Sequence, residues 1–154
     1  MQQTYVSNIS SDLNALNPEQ MMHNWGPEHE QLILSFLLDE INSQHRSCIS
    51  SFPDGNAVRE LSKIALITLE WSHYFPQMFM VLGDIYTDAA KLSFRCNEFI
   101  ATIGFVDKSI SNYNLFISLN TQLGEDFNLL QVEKKIEDAN YIKLRTELNM
   151  EESK

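Results

Sequence analysis

The chain reads as an all-α protein: a bundle of four to five mostly antiparallel helices behind a flexible amino-terminal arm. Three observations support that class. The 154 residues include only five Gly and four Pro, too few punctuating residues for many short strands and turns. Hydrophobic residues make up 44% of the chain, with nine Phe among them, which suffices for a core and argues against wholesale disorder. Between residues 75 and 103, apolar side chains recur at alternating spacings of four and three, the period of a helix packed on other helices. The length fits a single domain burying roughly two thirds of its unfolded surface. We assign it to residues 25–150, with residues 1–24 as the polar arm.

The arm is rich in Ser, Asn and Gln, with Tyr5, Val6, Leu13 and Leu16 as isolated apolar points and a short helix expected near Ser11–Leu16. The first bundle helix opens at "NWGPEHEQ". Pro27 suits the first helical position, and Glu28 and Glu30 lie where the helix dipole favours negative charge. Ile33, Phe36, Leu37 and Ile41 form its core face, widened by Leu34 and Leu38. "SSFPDGNA" is expected to be a loop, since Pro53, Asp54 and Gly55 are turn formers.

A second helix is expected from about Asn56, with Val58, Leu61, Ile64, Ala65 and Leu69 inward. Its centre, "IALITLEW", is apolar almost all round, which predicts a helix surrounded by neighbours. It should end near residues 73–75, because the residue before Pro76 is biased away from helical geometry. The third segment carries Phe75, Phe79, Leu82, Tyr86, Ala89, Ser93, Cys96, Ile100 and Ile103 in one row, and Met78, Ile85, Leu92 and Phe99 in another. That is coiled-coil-like spacing for a bundle helix on the order of 40 Å long. Cys96 is placed on its seam as a small core residue, and a break is expected at Gly104–Asp107. A fourth helix would hold Ile110, Tyr113, Ile117, Leu119 and Leu123, with Gly124 as its carboxy-terminal cap.

The last helix, "EDFNLLQVEKKIEDANYIKLRTELNMEE", divides its apolar residues between two faces. Val132, Ile136 and Ala139 cluster on one side, whereas Tyr141, Leu144 and Leu148 lie nearly opposite. Either the helix breaks near Asp138–Asn140, or its outer half offers an apolar stripe to a partner helix or a second copy of the chain.

Charge and motifs exclude several function classes. The formal net charge is −10, and no Lys or Arg precedes Arg46. No basic stripe exists to displace counterions, so nucleic acid is not an expected partner. No run of about 18 apolar residues occurs, so no membrane insertion is expected. The first twenty residues lack the basic start and apolar core of a secretory signal. With two cysteines that make no disulfide framework, an intracellular, cytoplasmic setting is expected. Glu70-Trp71-Ser72-His73 has the spacing of one ligand pair of a diiron bundle, but the second pair is missing. His23, His29 and His45 with Cys48 lack the tight doublets of zinc sites. No nucleophile elbow or phosphate-cradling Gly loop is present. We therefore assign no catalytic, cofactor or metal residues.

Phe75, Phe79, Leu82, Gly83, Asp84 and Tyr86 together resemble the third homology region of the Bcl-type apoptosis regulators, over about a dozen residues. The resemblance implies that the four apolar residues enter a partner's groove while Asp84 pairs with an Arg. The Asn-Trp-Gly-Arg signature of groove-bearing members is absent downstream. The same apolar positions also belong to the row that continues to Ile103, so periodicity alone reads them as core, with Gly83 allowing a close helix crossing and Asp84 facing water or a cation. The expected role is a non-catalytic interaction or scaffold subunit that binds a protein partner or itself through helix–helix packing. Tyr141, Leu144 and Leu148 are its candidate contacts, and Phe79, Leu82 and Asp84 are added by the resemblance. A small acidic inhibitor or immunity-type protein facing a basic enzyme is the alternative, and an apoptosis-regulator-like protein using residues 75–86 is a further one.

Overall fold

Asn17 caps helix α1 (Pro18–Trp25): its Oδ1 accepts a hydrogen bond from the Gln20 amide at 3.1 Å. The computed structural model describes residues 17–25 and 27–152. Met21 of α1 is buried in the main core, so residues 18–24, read above as part of the arm, belong to the packed fold. The helix expected near Ser11–Leu16 lies outside the described residues. A 3₁₀ turn (Pro27–His29) leads into α2 (Glu30–Ser51).

The expected loop at residues 50–57 shrinks to Phe52 and Pro53. Pro53 has extended geometry, and α3 (Asp54–Ser72) starts at the next residue. Asp54 sits in the first turn, where the helix dipole favours a carboxylate, and accepts a 3.0 Å ion pair from Arg95. Gly55 and Asn56 are thus helical. α3 ends where Pro76 predicts, but it is not enclosed on all sides, because Leu66 and Leu69 are exposed.

The long third helix expected from the spacing is interrupted by a turn. Helix α4 (Met78–Arg95) stops well before Gly104, and α5 (Phe99–Leu123) begins after three intervening residues. Asn97 takes the left-handed conformation, with φ of 61°. The Glu98 amide returns to the Ser93 carbonyl at 2.9 Å, the closing bond of a Schellman-type stop. The apolar rows run straight through this turn because each new helix resumes the same spacing, so periodicity gives no sign of it. Cys96, expected on the seam, is exposed. Ile100 is 82% exposed. Gly104 lies inside α5 on the open side.

Gly124 does cap α5 as expected, with φ of 69°, and the Glu125 amide closes onto the Asn120 carbonyl at 3.0 Å. Asn128 then caps α6 (Leu129–Glu152), its Oδ1 accepting from the Gln131 amide at 3.2 Å. Among the described residues there are six α-helices and no strand. Each long helix packs on its neighbours in the chain, and α4 also touches α6.

Apolar residues of α1 to α4 form one large core around Leu37, Ile41, Leu61, Trp71, Met78 and Ile85. α4, α5 and α6 share two small clusters, one at Ala90, Val106 and Ala139 and one at Tyr113, Phe116 and Val132. On either side of the Ala90 cluster α4 and α5 meet through hydroxyls. Ser93 and Thr102 lie 2.9 Å apart, and Thr87 and Ser109 lie 2.6 Å apart. Ser109 is also within 2.9 Å of the Gly83 carbonyl. Gly83 permits the approach: a Cβ there would overlap the Tyr113 ring.

Candidate interaction surface

α6 does not break near Asp138–Asn140; it is helical from Leu129 to Glu152. Its inner line is Val132, Ala139 and Thr146, all fully buried and seven residues apart. Seven-residue spacing keeps one edge of a helix against its neighbour. The apparent change of face has a simple cause. Thr146 continues the buried line as a polar residue, its hydroxyl donating to the Ile142 carbonyl at 2.7 Å, so a projection of apolar residues alone misses it.

The other face is solvent-facing. Tyr141, Leu144 and Leu148 are 60%, 54% and 51% exposed, and their three- and four-residue spacing puts them in one stripe. Leu130, also exposed, lies on the same line toward the amino end. Beside the stripe is a groove of about 200 Å³ lined by Lys91, Phe94, Arg95, Tyr141, Ile142 and Arg145. The Arg145 guanidinium stands 5.7 Å from the centre of the Phe94 ring, and Phe94 and Phe99 stack obliquely at 5.6 Å. The carboxy-terminal half of α6 and the α4–α5 turn thus present a semi-continuous apolar surface bordered by cations.

The residues added by the apoptosis resemblance are placed differently. Leu82 is 1% exposed and Phe75 is buried, both in the main core, and Phe79 is half-buried against two clusters. Asp84 is engaged within the chain. It accepts a hydrogen bond from Tyr113 Oη at 2.6 Å and an ion pair from Lys135 Nζ at 2.7 Å. The expected cation is therefore Lys135, and this triad joins α4, α5 and α6. Burial, then the nearby Asp84 charge and its hydrogen bond, push the Tyr113 phenol far above its ordinary range.

Asp84, Tyr113 and Lys135 border a polar cleft of about 340 Å³ with His45, Thr87, Asp88, Lys91 and Asp138. His45 Nε2 and Asp88 Oδ2 are 2.7 Å apart, and Asp138 pairs with Lys134 at 3.2 Å. The carboxylates of the cleft are matched to cations or to His45, and the Tyr113 phenol is held protonated, so the arrangement works as a clamp between helices. Glu70 and His73 are exposed at the end of α3. Among the described residues, no group of three or more His, Cys, Asp or Glu side chains is placed to hold a metal ion. None of the described helices is long and apolar enough to cross a membrane.

The hydroxyl seam and the Lys135 link lie outside the apolar pattern of the sequence. The trace of the seam was the run of small residues Gly83, Thr87, Ala90 and Ser93 at helical spacing on α4, with Thr102, Val106 and Ser109 at helical spacing on α5. Comparison with models of protein families, with curated proteins and with solved structures finds no match to this chain.

Proposed function

We propose that this protein is a non-catalytic interaction subunit that binds another protein surface by helix–helix packing through the outer face of α6. The observation that carries the reading is the stripe of Tyr141, Leu144 and Leu148, each more than half exposed on a helix whose opposite face is already buried. Large apolar side chains in a contiguous stripe cost solubility unless another surface covers them. Regular 4-3 spacing favours a helix as that surface. The test is the double substitution Leu144→Glu and Leu148→Glu. Association, read by size-exclusion chromatography with light scattering, should be lost, while the helical circular dichroism and the unfolding midpoint stay near the parent values. Loss of helical signal without any change in association would refute the reading.

A further inference from the structure

The stripe on α6 is one part of a longer pattern that includes its charges. In 4-3 spacing the outward line reads Leu130, Lys134, Glu137, Tyr141, Leu144, Leu148 and Glu151. One flank of this seam carries Asp138, Arg145 and Glu152, and the other carries Glu133, Asn140 and Glu147. All of these side chains are exposed. Side chains on such flanks meet across a helix pair and select its direction and register.

We infer that the occupant of this face is a second copy of the chain, packed α6 against α6 in antiparallel sense, with a two-fold axis passing between Ile142 and Lys143. This rests on the reading of α6 as the docking helix and adds the partner's identity and orientation. The argument is charge complementarity.

In a parallel pair, Lys134 would face Lys134, Glu137 would face Glu137 and Glu151 would face Glu151. Glu133 would then lie beside Asp138 of the second copy, and Glu147 beside its Glu152. Every one of these contacts joins like charges. The antiparallel pair reverses this. Tyr141 and Leu144 of each copy interdigitate at the axis, and Leu148 covers the aliphatic part of Glu137. Lys134 meets Glu151 of the second copy, and Arg145 meets its Asp138, each twice by symmetry. Shifting the antiparallel pair by one heptad sets Arg145 against Arg145 in one direction and Asp138 against Asp138 in the other. One register alone is complementary along its length.

The overlap of residues 133–152 is roughly 30 Å long. A single helix pair of that length sits at the small end of specific interfaces, on the order of 1,000 Å², so the dimer is expected to be reversible and concentration-dependent. Its formation must be measured near physiological salt, where repulsion between two acidic bodies is screened beyond about 8 Å.

The full chain is measured by sedimentation over a concentration series. The parent should show a monomer–dimer equilibrium that Leu144→Glu with Leu148→Glu abolishes. Asp138→Arg alone, or Arg145→Asp alone, should weaken it about tenfold or more. Combining both in one chain should restore it, and mixing the two single variants should yield a heterodimer. A parent that stays monomeric up to its solubility limit overturns the self-pairing; the docking reading survives that result if the Leu144/Leu148 variant loses a different partner. A dimer insensitive to the Leu144/Leu148 variant overturns both. A dimer abolished by that variant but not rescued by the charge swap overturns the antiparallel register alone.

Discussion

The half of the bundle built from α1, α2, α3 and the inner face of α4 is packed by aliphatic and aromatic side chains in one continuous cluster. The half built from α4, α5 and α6 has two clusters of three buried apolar residues each, with the hydroxyl pairs Thr87–Ser109 and Ser93–Thr102 alongside them. In the first half, stability scales with the apolar volume removed from water. In the second, small residues bring the helices close, and satisfied hydroxyls and the Asp84–Tyr113–Lys135 triad set their register. The same fold therefore answers to opposite kinds of damage in its two halves, deleted volume in one and added volume in the other.

That contrast can be broken experimentally. Trp71 is fully buried and lies near Phe75, their ring centres 6.3 Å apart, so Trp71→Ala should destabilise the protein by about 3–5 kcal/mol in urea unfolding. A loss under 1 kcal/mol would show that the large cluster is not the dominant core. In the other half, Gly83→Ala adds one methyl group where the Tyr113 ring already stands. Alanine favours a helix interior by about 1 kcal/mol over glycine, so a net loss of about 1–3 kcal/mol would mean the steric overlap outweighs the propensity gain. A stabilised variant would mean that the α4–α5 crossing is looser than described.

The smallest effect concerns pH. The folded-state pKa of Tyr113 is raised by burial and by Asp84. Below about pH 10 the phenol is protonated in both states and the contribution is complete. As pH rises further, the unfolded chain loses that proton while the folded chain keeps it, so stability declines. Tyr113→Phe should flatten this alkaline decline in unfolding midpoints taken between neutral pH and pH 11. An unchanged slope would mean that Tyr113 does not stay protonated in the native state.

The all-helical class was legible because few Gly and Pro interrupt long 4-3 rows, and Gly124 identified its cap because a left-handed position strongly favours glycine. The turn at Cys96–Glu98 was hidden, since Asn97 serves as the left-handed residue in place of glycine and the apolar spacing resumes in phase beyond it. Pro53 and Asp54 looked like loop residues but act as the entry to α3, a role their chemistry suits equally. Tyr141, Leu144 and Leu148 were legible as a separate face from spacing alone. The hydroxyl seam was not, because a pattern keyed to hydrophobicity gives no weight to Thr87, Thr102, Ser109 or Thr146 and takes Ser93 only as a member of the apolar row, although all but half-buried Thr87 are buried.

Cys96 stands exposed at the turn between α4 and α5, while Cys48 is buried and its thiol is pushed up by desolvation and by Glu60. Thiolate is the reactive form, so a maleimide spin label should attach at residue 96 and spare residue 48. The neighbouring residues 97–100 share a hollow with Met150 near the carboxy-terminal end of α6, which makes residue 96 a marker of one pole of the molecule. Two such labels would lie at the same pole of a head-to-head pair and at opposite poles of a head-to-tail pair. The native thiol is therefore a compass needle for polarity that requires no engineered cysteine.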